Sequence, residues 1–114
     1  MGKHLLLDLS CNNHKLMSDK EFIRNMLTDI ARIVDMRTLI DPVVVSGADY
    51  NPGATGFVII ETSHISMHTF TARNKISFDL YSCTNFNVSK VITYVIERMN
   101  ATILRSTAHI RRDA

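Results

Sequence analysis

Cysteine is scarce in this chain of 114 residues: Cys11 and Cys83 stand far apart and form no CxxC pair. That removes the usual signature of structural zinc, and no disulfide is expected in a cytosolic chain. Long apolar runs are missing too. None approaches the ~20 residues that a membrane span requires. The start, Met1-Gly2-Lys3-His4, runs straight into a strand pattern, with no signal-peptide region or cleavage site. A cytoplasmic protein without a membrane partner is the expectation. Charge of one sign is also lacking: the net charge of +2 is too small to argue for nucleic acid. Arg105, Arg111 and Arg112 gather near the carboxyl end, where a solvated tail accounts for them. Internal repeats and low-complexity segments are absent.

What is present reads as one globular domain, 1–114, with a modest core. The composition is 46% hydrophobic and 21% charged. His4-Leu5-Leu6-Leu7-Asp8-Leu9 is a short apolar run suited to a central strand, and Ser10 to His14 reads as a loop. Ser18 with Glu21 three residues later forms a capping box. From there Phe22, Met26, Ile30 and Ile33 keep helical spacing, predicting an amphipathic helix over 19–34. Two β-branched runs, 37–40 and 43–45, flank Asp41-Pro42, so an edge or kinked strand is expected there. Residues 46–53 are the longest loop signal, and a strand over 56–60 follows. Asn87 caps a second predicted helix, 88–99, before a last strand over 101–110. The pattern predicts an α/β (α+β) fold, a two-layer sandwich with two helices on one face of the sheet.

The chemistry concentrates in one stretch, Glu61-Thr62-Ser63-His64-Ile65-Ser66-Met67-His68-Thr69-Phe70. A short polar turn then leads to Lys75-Ile76-Ser77-Phe78-Asp79-Leu80-Tyr81-Ser82-Cys83. Two histidines, hydroxyls beside a carboxylate and a thiol therefore come from two paired strands. Such alternation also describes any half-buried strand. No metal site is expected, because His64 and His68 at i and i+4 on a strand stand about 13 Å apart.

Order and spacing add a resemblance. Thr62-Ser63-His64-Ile65-Ser66-Met67-His68-Thr69-Phe70 followed by Asp79-Leu80-Tyr81-Ser82-Cys83 is similar to the core of the prokaryotic S-adenosylmethionine decarboxylase family. Gly2-Lys3-His4-Leu5 and Pro52-Gly53-Ala54-Thr55-Gly56 extend it over most of the chain. The resemblance implies a mainly antiparallel sheet and a homodimer with active sites near the subunit interface. It also implies a self-processing proenzyme whose cofactor is a covalent pyruvoyl group made from Ser63. Cleavage would fall between Thr62 and Ser63, giving chains 1–62 and 63–114. The ketone would form a Schiff base with the substrate amine and draw electrons as carbon dioxide leaves.

By the same resemblance His68 moves a proton during processing, for which an imidazole titrating near neutrality is suited. Cys83 is the matching proton donor in decarboxylation. Phe70 is placed to stack on an adenine or face a sulfonium, and His64, beside the cleaved serine, is the second candidate for substrate binding. In a regular strand, however, residues 63 and 68 point to opposite faces. Either a register break near Ser63 or action across a hairpin would have to reconcile them.

Two departures stand out. Thr62 replaces the family's glutamate before the serine, with Glu61 one position earlier. The family's Trp-Pro-Glu becomes Phe70-Thr71-Ala72, which removes a carboxylate suited to holding a ribose. The leading expectation is an adenosylmethionine decarboxylase of spermidine and polyamine biosynthesis. Alternatives are a same-fold decarboxylase of arginine or ornithine and an unprocessed, regulatory relative.

Overall fold

The computed structural model describes residues 2–112. Six strands form one sheet: β1 (Gly2–Ser10), β2 (Val43–Ser46), β3 (Ala54–Ile60), β4 (Ser63–Phe70), β5 (Lys75–Ser82) and β6 (Thr102–Arg111). Their order is β2-β3-β4-β5-β1-β6, and every neighbouring pair is antiparallel. The first strand is thus an inner one, as its apolar run implies. Pro42 breaks the preceding segment as expected: residues 37–40 form no full strand, keeping a bridge from Thr38 to Ile60 with hydrogen bonds to Ile59 and Glu61, and β2 forms the sheet edge.

Two long helices, α2 (Lys20–Ile33) and α3 (Val88–Met99), pack on one face. On α2 the residues Ile23, Met26, Leu27, Ile30 and Ala31 are buried, the i, i+3, i+4 stripe of a helix lying on a sheet. Gly56 lies beneath it, where a β-carbon would come within 3.0 Å of both Ile23 and Leu27. Between the helices the Tyr94 hydroxyl donates to the Asp29 carboxylate at 2.5 Å. Burial, then that acceptor, pushes the phenol up to about 12.

The α2 cap differs from the expectation at Ser18. Asp19 is the cap, accepting from the Phe22 amide at 3.0 Å, and its carboxylate suits the positive end of the helix. Ser18 instead closes a one-turn helix, α1 (His14–Met17), in the stretch partly read as loop. Asn13 starts that turn by accepting from the Leu16 amide.

Strand alternation divides the sheet. Leu5, Leu7, Leu9, Val58, Ile60, Ile65, Met67, Phe78 and Leu80 face the helices and are buried. Among the described residues no layer covers the other face: Leu6, Phe57 and Ile59 on it are 42, 39 and 39% exposed. Thr69 ties the core side together. Fully buried, its hydroxyl donates to the Met17 carbonyl at 2.6 Å and accepts from the Ala54 amide at 2.8 Å.

Candidate active site

The β3–β4 hairpin closes with two residues, Glu61 and Thr62, between the paired Ile60 and Ser63. Two-residue hairpin loops need left-handed φ, usually from glycine or asparagine. Here Glu61 supplies it, at φ 44°. A side chain held in that region costs about 1–2 kcal/mol. The strain therefore sits one residue before the expected cleavage point.

Ser63 begins β4 with its side chain on the core side and is 6% exposed. Its Oγ accepts from the Cys83 amide at 2.9 Å. Cys83 follows the end of β5 in a turn fixed by Ser82, whose Oγ donates to the Thr84 carbonyl at 2.6 Å and accepts from the Thr84 amide. The neighbouring Thr62 and Ser63 hydroxyls draw the Cys83 thiol below its ordinary value, against burial and the Glu61 charge. Thr62, Ser63 and Cys83 are thus one cluster, assembled from a turn and two strand ends. On the open face the same turn borders a shallow hollow of about 430 Å³, lined by Phe57, Ile59, Thr62, Ser63, His64 and Tyr81.

His64 belongs to that open face. Its ring stacks on Phe57, centroids 5.6 Å apart, and lies 6.0 Å from Tyr81. Burial, with His4 nearby, lowers its pKa, so the ring is neutral at physiological pH.

His68 is elsewhere. Strand β4 keeps unbroken register with β3 and β5, so no bulge turns residue 68 toward residue 63. The two side chains occupy opposite faces, about 16 Å apart along the strand. His68 instead pairs with Thr55, Nδ1 to Oγ1 2.9 Å, with Phe70 beside it at 6.5 Å between ring centroids. A second hollow, of about 290 Å³, opens there between Thr55, Phe70, Tyr50, Asn51, Ala72 and Arg73. Thr55 escapes a reading by composition. Its pairing follows only once a two-residue turn fixes the hairpin register.

Among the described residues no cluster of three metal-ligating side chains occurs, and no helix is long and apolar enough to cross a membrane. Both cysteines are free, and Cys11 is buried with its thiol 3.3 Å from the Met99 carbonyl.

The family model for S-adenosylmethionine decarboxylase matches residues 3–112. The chain belongs to that family. An S-adenosylmethionine decarboxylase proenzyme of Clostridium botulinum is 31% identical over 100 residues, covering 86% of this chain and 83% of that one. An arginine decarboxylase proenzyme of Caldivirga maquilingensis is 26% identical over 88% of this chain and 75% of its own. The crystal structure of the adenosylmethionine decarboxylase from Aquifex aeolicus superposes with a TM-score of 0.74 at 23% identity, covering 100% of this chain and 96% of that one. The family's sandwich is therefore the fold of this chain, over the length of the described residues.

Proposed function

We propose that this chain is a self-processing, pyruvoyl-dependent adenosylmethionine decarboxylase that cuts itself between Thr62 and Ser63. The observation that carries the reading is Ser63 itself: buried, bonded to the Cys83 amide, and preceded by a left-handed glutamate in a tight turn. Ser63 fits the demand for a serine whose own peptide bond is broken. Its Oγ attacks the Thr62 carbonyl carbon; the ester bond forms as the Thr62–Ser63 amide breaks, and the freed nitrogen takes the hydroxyl proton. Loss of the Ser63 α-proton then breaks the bond from Cβ to Oγ and releases a chain ending in the Thr62 carboxylate. Water displaces the nitrogen as ammonia. The outer ends of the two fragments, Met1 and residues 113–114, lie outside the described residues.

The ketone so made supplies an electron sink for the loss of carbon dioxide. Around it, Cys83 holds at Sγ the proton that returns to the substrate carbon. The hollow beside Thr62 and Ser63 admits the substrate past His64. His68 and Thr55 form the proton-moving pair of processing, and they reach Ser63 from a second copy of the chain. The bare open face, with Leu6, Phe57 and Ile59 exposed, supports a homodimer packed sheet to sheet. Phe70 at the His68 end would then complete the substrate pocket of the other copy. Free thiols on both cysteines suit the cytoplasm.

A second reading, decarboxylation of arginine or ornithine, is favoured by one feature. The hollow beside Phe70 is lined by Ala72, which has no group to accept from a ribose. A relative 26% identical over 88% of this chain is named an arginine decarboxylase proenzyme. Denatured intact mass tests the proposal. Two fragments split at Ser63, the second lacking one ammonia, establish processing, and carbon dioxide release from adenosylmethionine, arginine and ornithine assigns the substrate. A single mass that persists on incubation overturns the enzyme reading and leaves a regulatory relative.

A further inference from the structure

The turn before Ser63 is held from outside the hairpin. The Arg37 amide donates to the Glu61 carboxylate at 2.8 Å, and the Glu61 amide donates to the Arg37 carbonyl at 3.2 Å. Two residues on, the Leu39 amide donates to the Ile59 carbonyl at 2.9 Å, and Thr38 bridges Ile60. Residues 37–39 thus run beside the end of β3 as a short companion strand. Its first residue grips Glu61 through both backbone and side chain. A glutamate at positive φ has every steric reason to relax into the right-handed region. The grip is what opposes that relaxation.

We propose that Glu61 is a positioning residue for self-cleavage: its carboxylate, clamped to the Arg37 backbone, keeps the turn in the left-handed conformation that precedes the scissile Thr62–Ser63 bond. This rests on the self-processing reading above. The carboxylate meets a neutral amide rather than a guanidinium. The role therefore requires an acceptor and not a charge, and glutamine satisfies it. Glycine lacks the acceptor but adopts positive φ without strain. Alanine lacks the acceptor and keeps the strain. The clamp thus predicts an order of variants that a merely structural or merely electrostatic role would not produce.

The test is the rate at which the two fragments appear after a short pulse of cell-free synthesis, read by denatured mass, with thermal unfolding of each product as a control. Glu61→Gln should cut within about twofold of the wild type. Glu61→Gly should be slower by roughly tenfold, and Glu61→Ala slower again by about another tenfold. Restoration by glutamine at unchanged melting temperature supports the clamp. An alanine variant that cuts at the wild-type rate overturns it, as does a glutamine variant as slow as alanine. If the alanine chain does not fold, the glutamine-to-glycine comparison decides in the same way. A wild-type chain that never cuts overturns the self-processing reading itself, and the clamp with it, a result visible before any variant is made.

Discussion

The two ends of β4 differ in almost every physical respect. At the turn end Ser63 is buried on the core side, its hydroxyl fixed by the Cys83 amide, after a strained residue held by the Arg37 segment. At the far end His68 stands half-exposed on the open face, with Thr55 as its partner and a hollow at its side. One end holds the nucleophile, and the other holds His68, bonded to Thr55. The alternation of a single strand causes the split, because residues 63 and 68 differ in parity. A sheet face that bears half of a site, and no covering layer, is intelligible if another copy of the same face supplies the other half.

The sharpest way to break this comparison is to remove the nucleophile. Ser63→Ala should abolish both cleavage and decarboxylation, seen as one intact mass and no released carbon dioxide. His68→Ala should slow cleavage by about 10²–10⁴-fold, the usual worth of a positioned proton carrier. The two together test whether the ends of β4 meet across copies. Coexpressed Ser63→Ala and His68→Ala chains should form mixed dimers in which the His68→Ala chain is cut at near the normal rate. If it stays uncut in a confirmed mixed dimer, both groups must act within one chain, and the half-site interpretation is wrong.

Cys83→Ala separates the functions of the turn end. Processing should proceed, since the backbone amide that holds the Ser63 hydroxyl survives the substitution. Turnover should fall by about 10²-fold for want of a proton at Sγ. A processed variant with full turnover would remove Cys83 from the chemistry.

Much of this was open to reading from residue order alone, and the parts that were not share a cause. The second helix and its Asn87 cap follow from local spacing and one side-chain bond, and the structure has both. The parity conflict between Ser63 and His68 was likewise visible, because alternation is a property of a strand by itself. The Asp19 cap and the one-turn α1 depended on which of several adjacent polar side chains reaches an amide, and composition does not rank those. The Glu61–Arg37 clamp and the Thr55–His68 pair join residues 24 and 13 positions apart. No local signal announces them; they exist because the hairpin register and the path after α2 bring those backbones together.

Thr69 offers a control that should move stability and leave the comparison intact. It lies on β4 near His68 but on the core face, bonded to Met17 and Ala54. Thr69→Val keeps shape and loses the hydroxyl, leaving a buried amide and carbonyl unpaired. The expected cost is about 1–3 kcal/mol, read from denaturant unfolding, with the fragment pattern unchanged.

The smallest effect expected is a shift in the titration of Cys83. In the uncut chain the Thr62 and Ser63 hydroxyls stabilise its thiolate, so the pKa lies below the ordinary thiol value. The thiolate is the nucleophile, so alkylation of an unprocessed chain should begin at lower pH than for a free cysteine, while Cys11, buried, stays unreactive. Thr62→Val deletes the larger of the two donors and should move the alkylation midpoint upward. Ser63→Ala should move it in the same direction by less, and this variant also keeps the chain uncut for the measurement. A midpoint indifferent to both substitutions would mean that the turn does not touch the thiol in solution. The link between the cleavage point and the proton donor would then be lost.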